Sequence, residues 1–219
     1  MQNITTVINT ILDFFLPQSK LDARVLEITA EELSTKVLQN TKQRNSKSIV
    51  LFSYRDPLIK HMIWSLKYKR NRDVAKIFAE VLCDHLAEEL FERGTFSAFT
   101  APLLIPVPLS KKRLRERGFN QVEWLAEELT TISSNSLYSL RTDILERVKN
   151  TESQTVVKDK QARAENVRGA FHIRNAQEVR GRNIILLDDV ITTGSTVAEA
   201  ERVLRATGAR QVLVVAIAH

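Results

Sequence analysis

The chain has little of what several common classes of protein depend on. It holds a single cysteine, Cys83, among 219 residues. One thiol cannot form an intramolecular disulfide, a zinc ribbon or an iron–sulfur cluster. No apolar run approaches the ~20 residues that a helix needs to cross a bilayer. The apolar stretch at residues 4–16 contains Asp13 and follows no basic region, unlike a secretory signal. These absences favour a reduced, cytoplasmic protein without a membrane partner.

Missing motifs exclude further classes. The six glycines form no Gly-x-Gly-x-x-Gly, and no Gly-Lys dipeptide occurs, which excludes dinucleotide-binding and P-loop sites. There is no His-Glu-x-x-His and no Gly-x-Ser-x-Gly, which excludes zincin proteases and serine hydrolases of the α/β type.

The chain does have an excess of positively charged residues. A balance of 32 Lys and Arg against 26 Asp and Glu gives a net charge of +6, which indicates a polyanionic partner such as a phosphate ester, a nucleotide or nucleic acid.

Hydrophobic periodicity predicts alternating strands and helices. Strands are predicted at residues 49–52, 103–107, 144–148, 170–173, 184–187 and 212–217, and helices at 58–66, 74–90, 120–129 and 195–207. Residues 18–48 show helical spacing only near 31–38, and a basic loop is predicted at 111–117. Apolar strands separated by amphipathic helices predict a parallel sheet covered on both faces. Ligands of such sheets bind at the carboxyl ends of the strands.

The strongest motif joins a strand to a helix. The strand at 184–187 ends on Asp188 and Asp189, and Gly194 then precedes a helix, flanked by the hydroxyls of Thr193, Ser195 and Thr196. The unpaired amides at a helix N-terminus favour a phosphate group. Two carboxylates beside a phosphate site suit a ribose 5-phosphate, whose 2- and 3-hydroxyls need acceptors. Taken singly, however, an Asp-Asp turn and a Ser/Thr helix cap are each more often purely structural.

A cluster of basic residues follows the strand at 103–107. Its members are Lys111, Lys112, Arg113, Arg115 and Arg117. Arginine grips phosphate oxygens with two hydrogen bonds, and lysine acts as a point charge, so this cluster suits a diphosphate. A solvated basic turn would have the same composition.

These segments together resemble a known family. Residues 184–196 resemble the phosphoribosyl pyrophosphate (PRPP) signature of the type I phosphoribosyltransferases. Pro106-Val107-Pro108, followed by residues 115–121, resembles the Pro-Val-Pro…Arg-x-Arg-Gly-Phe-Asn-Gln motif of the ComF/GntX-like family. Residues 54–68 and 147–171 are similar to two further motifs of that family, and all four occur in the family's order. The resemblance covers roughly residues 50–219.

The resemblance implies an α/β fold of the type I phosphoribosyltransferase class: a mainly parallel central sheet flanked by helices, with an N-terminal helical cap. Family members usually begin with a four-cysteine zinc ribbon, which this chain lacks. We therefore expect residues 1–48 to form an N-terminal helix and arm, and residues 49–219 to form the phosphoribosyltransferase-like domain. The implied reaction is magnesium-dependent transfer of the 5-phosphoribosyl group from PRPP to an unidentified nucleophilic acceptor, with release of pyrophosphate.

Site roles follow from the motifs and the resemblance. The expected catalytic residues are Asp188, Asp189, Lys149 and Arg163. The expected 5-phosphate site is Thr192, Thr193, Gly194, Ser195 and Thr196, and the expected diphosphate site is Lys111, Lys112, Arg113, Arg115 and Arg117. Tyr54, Lys67 and Tyr68 are expected to cap the acceptor. No side chain is assigned as a direct Mg²⁺ ligand, because PRPP and water would supply most of the ligands. The polar segment 149–163 takes the place of the superfamily's mobile loop.

A second hypothesis gives the chain no catalytic role. The PRPP site would then serve for sensing, and the protein would assist DNA uptake by binding single-stranded DNA or a helicase. The basic run at residues 55–72 contains Trp64 and Tyr68, and basic residues with aromatics can bind single strands. The same pattern is typical of a solvated helix face whose aromatics belong to the core. A homodimer is compatible with both hypotheses.

Overall fold

The computed structural model describes residues 18–38, 48–134, 137–149 and 165–219. In chain order its helices and strands are α1 (Gln18–Glu27), α2 (Ala30–Ser34), β1 (Ser48–Phe52), α3 (Pro57–Tyr68), α4 (Arg72–Ser97), β2 (Leu103–Pro106), α5 (Lys111–Arg117), α6 (Gln121–Ile132), β3 (Ser139–Leu140), β4 (Leu145–Arg147), β5 (Phe171–Ile173), α7 (Ala176–Val179), β6 (Asn183–Val190), α8 (Ser195–Ala206) and β7 (Gln211–Ala218).

The predicted parallel sheet is confirmed. Five strands pair in the order β1-β7-β6-β2-β3, and every neighbouring pair is parallel. β4 and β5 stand apart as a two-stranded antiparallel ribbon, in which Glu146 lies opposite His172. The two-residue strand β3 was not predicted, since so short a run carries no periodicity.

Alternation along the strands divides the core into two layers. In β6, Ile185 and Leu187 face a cluster formed with helices α3, α4 and α6. Ile184 and Leu186 face the opposite cluster, which contains β5 and Leu204 of α8. Both faces of the sheet are therefore buried, which explains why its central strands are continuously apolar.

The N-terminal helices complete the first layer. α1 packs on α3, and α2 packs on α4. Val25, Ile28 and Leu33 bring their side chains into the core, and the Thr29 hydroxyl caps α2 by accepting the amide of Glu32 at 3.2 Å. The expected helical layer is present. The apolar stretch at 4–16 lies outside the described residues.

The expectation of a basic loop at residues 111–117 is wrong, because these residues form helix α5. Ser110 caps its first turn by accepting the Arg113 amide at 3.3 Å. Gly118 ends it with a φ of 83°, a conformation that glycine adopts without strain. Both capping residues can be recognised in the sequence, but the run of basic residues between them was interpreted as a solvated loop. Within the described ranges, no helix is long and apolar enough to span a membrane.

The strand order creates a crevice at one edge of the sheet. The chain leaves β2 toward β3 on one side, and it leaves β6 toward β7 on the other. β2 and β6 are neighbours, so the connections after them diverge at the carboxyl ends of this pair. In open α/β sheets such a switch point is where ligands bind.

Candidate functional site

A cavity of about 900 Å³ opens at this switch point. Its wall includes residues 54–70, which contain α3 and are called the cap below. Further lining residues come from the loop after β2, from α5, from the start of α6, and from β4, β6 and the start of α8. The lining residues are Tyr54, Ile63, Trp64, Lys67, Tyr68, Arg70, Val107, Pro108, Leu109, Arg113, Glu116, Arg117, Phe119, Gln121, Val122, Arg147, Asp188, Asp189, Val190, Thr192 and Thr196. The volume is in the range of small-molecule sites.

The two predicted carboxylates both line the cavity and differ in their surroundings. Asp189 is buried, with one carboxylate oxygen 3.0 Å from Lys67 Nζ. Its other oxygen accepts a hydrogen bond from Gln121 Nε2 at 2.5 Å, and Gln121 in turn accepts one from Arg117. Asp188 accepts the backbone N–H of Asp189 at 2.9 Å. Asp189 is thus held between two helices.

The carboxyl of Asp188 has a raised pKa. Burial and the neighbouring charge of Asp189 raise the pKa of its carboxyl to about 7, and the attraction of Lys67 and Arg147 only partly offsets them. A carboxyl whose pKa lies near neutral pH can exchange a proton, or become charged when a ligand brings cations. A pair of this kind at a strand tip is typical of a functional site.

Three arginines form the cationic wall. Arg113 and Arg117 lie one turn apart on α5, and Arg147 comes from β4. Burial lowers the pKa of Arg117, and burial together with repulsion from Arg113 lowers the pKa of Arg147 to about 10. Arg147 lies over the Phe171 ring at 5.4 Å, and Arg117 lies over Tyr68 at 5.3 Å. Arginines that are partly removed from water interact more strongly with an incoming anion than exposed ones do.

The remaining basic residues of the predicted diphosphate site do not line the cavity. Lys111, Lys112 and Arg115 are exposed. Lys111 Nζ lies 3.7 Å from a Glu146 carboxylate oxygen. The helical period of 3.6 residues explains why Arg113 and Arg117 line the cavity and the other three do not, because it places these two arginines on one face of α5.

The turn that was predicted to bind phosphate precedes α8, and two of its five residues line the cavity. Gly194 has a φ of 76° and precedes the first residue of the twelve-residue helix. Thr192 and Thr196 line the cavity, and the hydroxyls of Thr193 and Ser195 are hydrogen-bonded to each other at 3.0 Å. The N-terminal amides and dipole of α8 therefore lie beside the carboxylate pair.

One predicted catalytic residue, Lys149, does not line the cavity. Lys149 is exposed, and its Nζ donates to the backbone carbonyl of Arg168 at 2.7 Å. This bond joins the first residue of the segment that was predicted to be a mobile loop to a residue five positions beyond its predicted end. Arg163 and the rest of that segment, residues 150–163, lie outside the described residues.

The three predicted cap residues all line the cavity. Tyr54, Lys67 and Tyr68 lie there together with Trp64 and Phe119. The rings of Trp64 and Tyr68 are 6.0 Å apart. These aromatic residues lie beside cations, since Arg117 lies over the Tyr68 ring and Arg70 lies over the Phe119 ring.

Sequence reasoning gave no role to two residues of the site, Arg147 and Gln121. Arg147 is buried at the end of β4, and a buried arginine in a predicted apolar strand is a signal that could have been followed. Gln121 begins α6 directly after its cap, Asn120, so it read as a helix-start residue. Its contact with Asp189, 68 positions away, has no sequence signal.

The donor set limits how the site could hold a metal ion. Among the described residues, no group of three or more metal-ligating side chains comes together. Mg²⁺ is commonly held by one or two carboxylates plus substrate phosphates and water. Asp188 and Asp189 fit that pattern, and they do not form a closed metal cage.

Comparisons with known proteins agree with this geometry. Residues 117–219 match the family model of the phosphoribosyl transferase domain. Over 158 residues the chain is 32% identical to DNA utilization protein YhgH of Escherichia coli K12, covering 72% of this chain and 66% of that protein. It is 31% identical to Competence protein F of Haemophilus influenzae, covering 79% of this chain and 72% of that protein. With Competence protein ComFC of Bacillus subtilis it is 28% identical over 80% of this chain and 63% of that protein.

Among solved structures, a hypoxanthine phosphoribosyltransferase from Staphylococcus aureus aligns with this chain. The alignment has a TM-score of 0.36 and 13% identity, and it covers 64% of this chain and 62% of that one.

Proposed function

Since this chain belongs to the ComF-like family of type I phosphoribosyltransferases, we propose that it transfers the 5-phosphoribosyl group of PRPP to a nucleophilic acceptor. In this reaction the bond between the anomeric carbon and the diphosphate oxygen breaks, and the acceptor forms the new bond. The products are the phosphoribosylated acceptor, pyrophosphate and the proton that the acceptor loses. One observation carries the proposal: a carboxylate pair, an arginine wall and a helix N-terminus share one cavity.

The carboxylates would hold the ribose. Asp188 and Asp189 lie between the phosphate turn and the cap, where their oxygens can accept from the 2- and 3-hydroxyls. Positive charge develops on the anomeric carbon as the diphosphate leaves, as in glycoside cleavage. Two carboxylates close to the sugar favour that charge.

The cationic wall would hold the diphosphate. Arg113, Arg117 and Arg147 present guanidinium groups to one side of the cavity. Partly desolvated arginines stabilise the negative charge that grows on the leaving group more strongly than exposed ones, because less water screens them. Lys111, Lys112 and Arg115 would act at longer range and guide the anion toward the site.

The turn at residues 192–196 would anchor the 5-phosphate through the α8 amides and the threonine and serine hydroxyls. Lys149 and Arg163 remain predicted catalytic residues of the segment that would close over the reacting centre. When bound, Mg²⁺ would supply positive charge that neutralises part of the diphosphate charge. Its ligands would be mainly the oxygens of PRPP and water, with Asp188 and Asp189 as the nearest carboxylates.

Calorimetric titration with PRPP, with and without Mg²⁺, tests this function. We expect Mg²⁺-dependent binding in the wild type and its loss in Asp188→Asn/Asp189→Asn. Asp143→Asn is the matched control, since Asp143 is exposed and pairs with Arg141 away from the cavity lining. Pyrophosphate release with a panel of nucleobases and amines would then identify the acceptor. Absence of PRPP binding in the wild type would exclude the transferase.

The alternative is a non-catalytic role in DNA uptake, with the PRPP site used for sensing. The observation that favours it is a row of cation–aromatic pairs on and beside the cap. Lys69 lies over Trp64 at 5.2 Å, and Arg72 lies over Trp124 at 5.7 Å. Such pairs resemble the stacking platforms that bind single strands. The names of the relatives concern DNA utilization and competence.

A fluorescence anisotropy titration with single-stranded DNA separates the two functions. In the accessory role, Lys69→Ala/Arg72→Ala would lose DNA binding and keep PRPP binding. Lys76→Ala is the control, because Lys76 is exposed on the same helix as Arg72. Wild-type protein that binds no single-stranded DNA would eliminate this role.

A further inference from the structure

Lys67 occupies an unusual place for a lysine. It lies near the end of the cap helix α3, and its ammonium is 3.0 Å from an oxygen of Asp189 in β6. The Lys67 side chain is 20% exposed, and that of Asp189 is 7% exposed. A pair this well shielded from water interacts more strongly than a surface ion pair.

Other contacts around Asp189 and the cap keep Lys67 next to Asp189. The second oxygen of Asp189 accepts from Gln121, which is itself held by Arg117. The cap is tied to the same region twice more, because Arg70 donates to the Arg117 carbonyl at 3.1 Å and Arg117 lies over the Tyr68 ring. The ammonium is therefore held at the carboxylate while these two contacts join the cap to Arg117 of α5.

The cavity as a whole is positively charged. Its lining contains five basic side chains (Lys67, Arg70, Arg113, Arg117 and Arg147) and three acidic ones (Glu116, Asp188 and Asp189). A free divalent cation would have to enter against this charge and would find Asp189 already neutralised. Two adjacent carboxylates would otherwise attract such an ion.

We propose that Lys67 is a built-in counterion of this site: it takes the place of a divalent cation at Asp189, so that the metal enters only together with an anionic ligand. This regulation rests on the proposed function, because that function identifies the cavity as the ligand site. Lys67 acts here as a positioning residue through Asp189. Its effect is measurable with a metal ion alone.

The test is a titration with Mn²⁺ alone, followed by electron paramagnetic resonance at low ionic strength. Mn²⁺ accepts the same oxygen ligands as Mg²⁺. We expect weak binding by the wild type and a Kd for Mn²⁺ about tenfold lower in Lys67→Met, because the ammonium no longer compensates Asp189. Lys67→Arg retains the charge and should bind like the wild type. Lys60→Met, at an exposed lysine of the same helix, should also leave Mn²⁺ binding unchanged.

A double variant locates the new metal site. Adding Asp189→Asn to Lys67→Met should abolish the gain in Mn²⁺ binding. Lys67→Gln provides a second neutral variant, and near-ultraviolet circular dichroism verifies that each variant is folded. Equal Mn²⁺ affinity in the wild type and both neutral variants would overturn the proposal. Because PRPP is absent, that result is distinct from a failure of the wild type to bind PRPP.

Discussion

Several charged residues of the cavity are buried, and burying their charges lowers the stability of the folded chain. The Asp188 carboxyl has a raised pKa, and the guanidinium groups of Arg117 and Arg147 have lowered ones, all with burial as the largest cause. Removing a charged group from water costs more than an imperfect partner returns. If these residues serve the proposed ligand rather than the stability of the chain, a substitution should separate the two effects.

Arg147→Met should weaken pyrophosphate binding and leave the fold intact. We expect a loss of about tenfold or more in affinity, since a hydrogen bond to a charged group contributes about 1.5–3 kcal/mol. The free energy of unfolding should fall by less than about 1 kcal/mol, because replacing a buried charge by a hydrophobic side chain of similar length is often neutral. Calorimetry with pyrophosphate and Mg²⁺ gives the first quantity, and urea denaturation gives the second.

Arg174→Met is the control for that variant. Arg174 follows β5, is exposed and pairs with Glu146 at 3.0 Å outside the cavity lining. It should change neither quantity appreciably, as expected of a surface ion pair. Unaltered pyrophosphate affinity in Arg147→Met would remove Arg147 from the proposed diphosphate site.

At the scale of helices and strands, α5 decides which of the five predicted cations face the cavity. Helical geometry selects Arg113 and Arg117, and the cap at Ser110 fixes where the helix begins. Ser110→Ala removes the hydroxyl that accepts the Arg113 amide, at a cost of about 1 kcal/mol of stability. Because α5 carries two of the three arginines, the affinity for pyrophosphate should also fall severalfold.

Thr29→Ala provides a matched comparison for Ser110→Ala. Thr29 caps α2 with the same kind of bond, at 3.2 Å, and α2 packs on α4 away from the cavity lining. Both variants should lose similar stability by urea denaturation, and only Ser110→Ala should lose pyrophosphate affinity. Equal affinities in the two variants would mean that the position of α5 does not matter for binding.

Features with a local cause could be predicted from the sequence, whereas features that depend on tertiary contacts could not. The parallel strands, the Asp188-Asp189 tip and the Gly194 turn followed from periodicity and motif. Helix α5 was missed although its caps are local, because charge was given more weight than capping. The Lys67–Asp189 and Gln121–Asp189 contacts join distant segments. Only packing of the cap on the sheet brings them together.

At the scale of the whole molecule, the site exists because the sheet is buried on both faces. On one side of the sheet, the cap provides Lys67 and α6 provides Gln121. On the other side, the β4–β5 ribbon provides Arg147. The carboxyl ends of β2 and β6 are where these layers meet. Burial there is also what raises the pKa of Asp188, so the stability of the whole chain becomes linked to pH through the site.

The sign of that linkage follows from the proton that Asp188 retains. Its pKa rises from 3.8 to about 7 on folding, so at intermediate pH the folded chain binds a proton that the unfolded chain releases. Stability from this group is therefore present at low pH and is lost as the pH rises toward 7. Asp188→Asn lacks this loss, so its stability relative to the wild type should increase between about pH 5 and about pH 8, measured by urea denaturation.

Asp143→Asn should show no such trend. The hydrogen bond from Arg141 lowers the pKa of Asp143, so its contribution is lost only in stronger acid, and the variant should differ from the wild type by the same amount at both pH values. If Asp188→Asn also differed from the wild type by a constant amount, Asp188 would be ionised throughout this range. The proton would then be absent from the carboxylate pair at neutral pH, and the pair would present two full charges to the ligand.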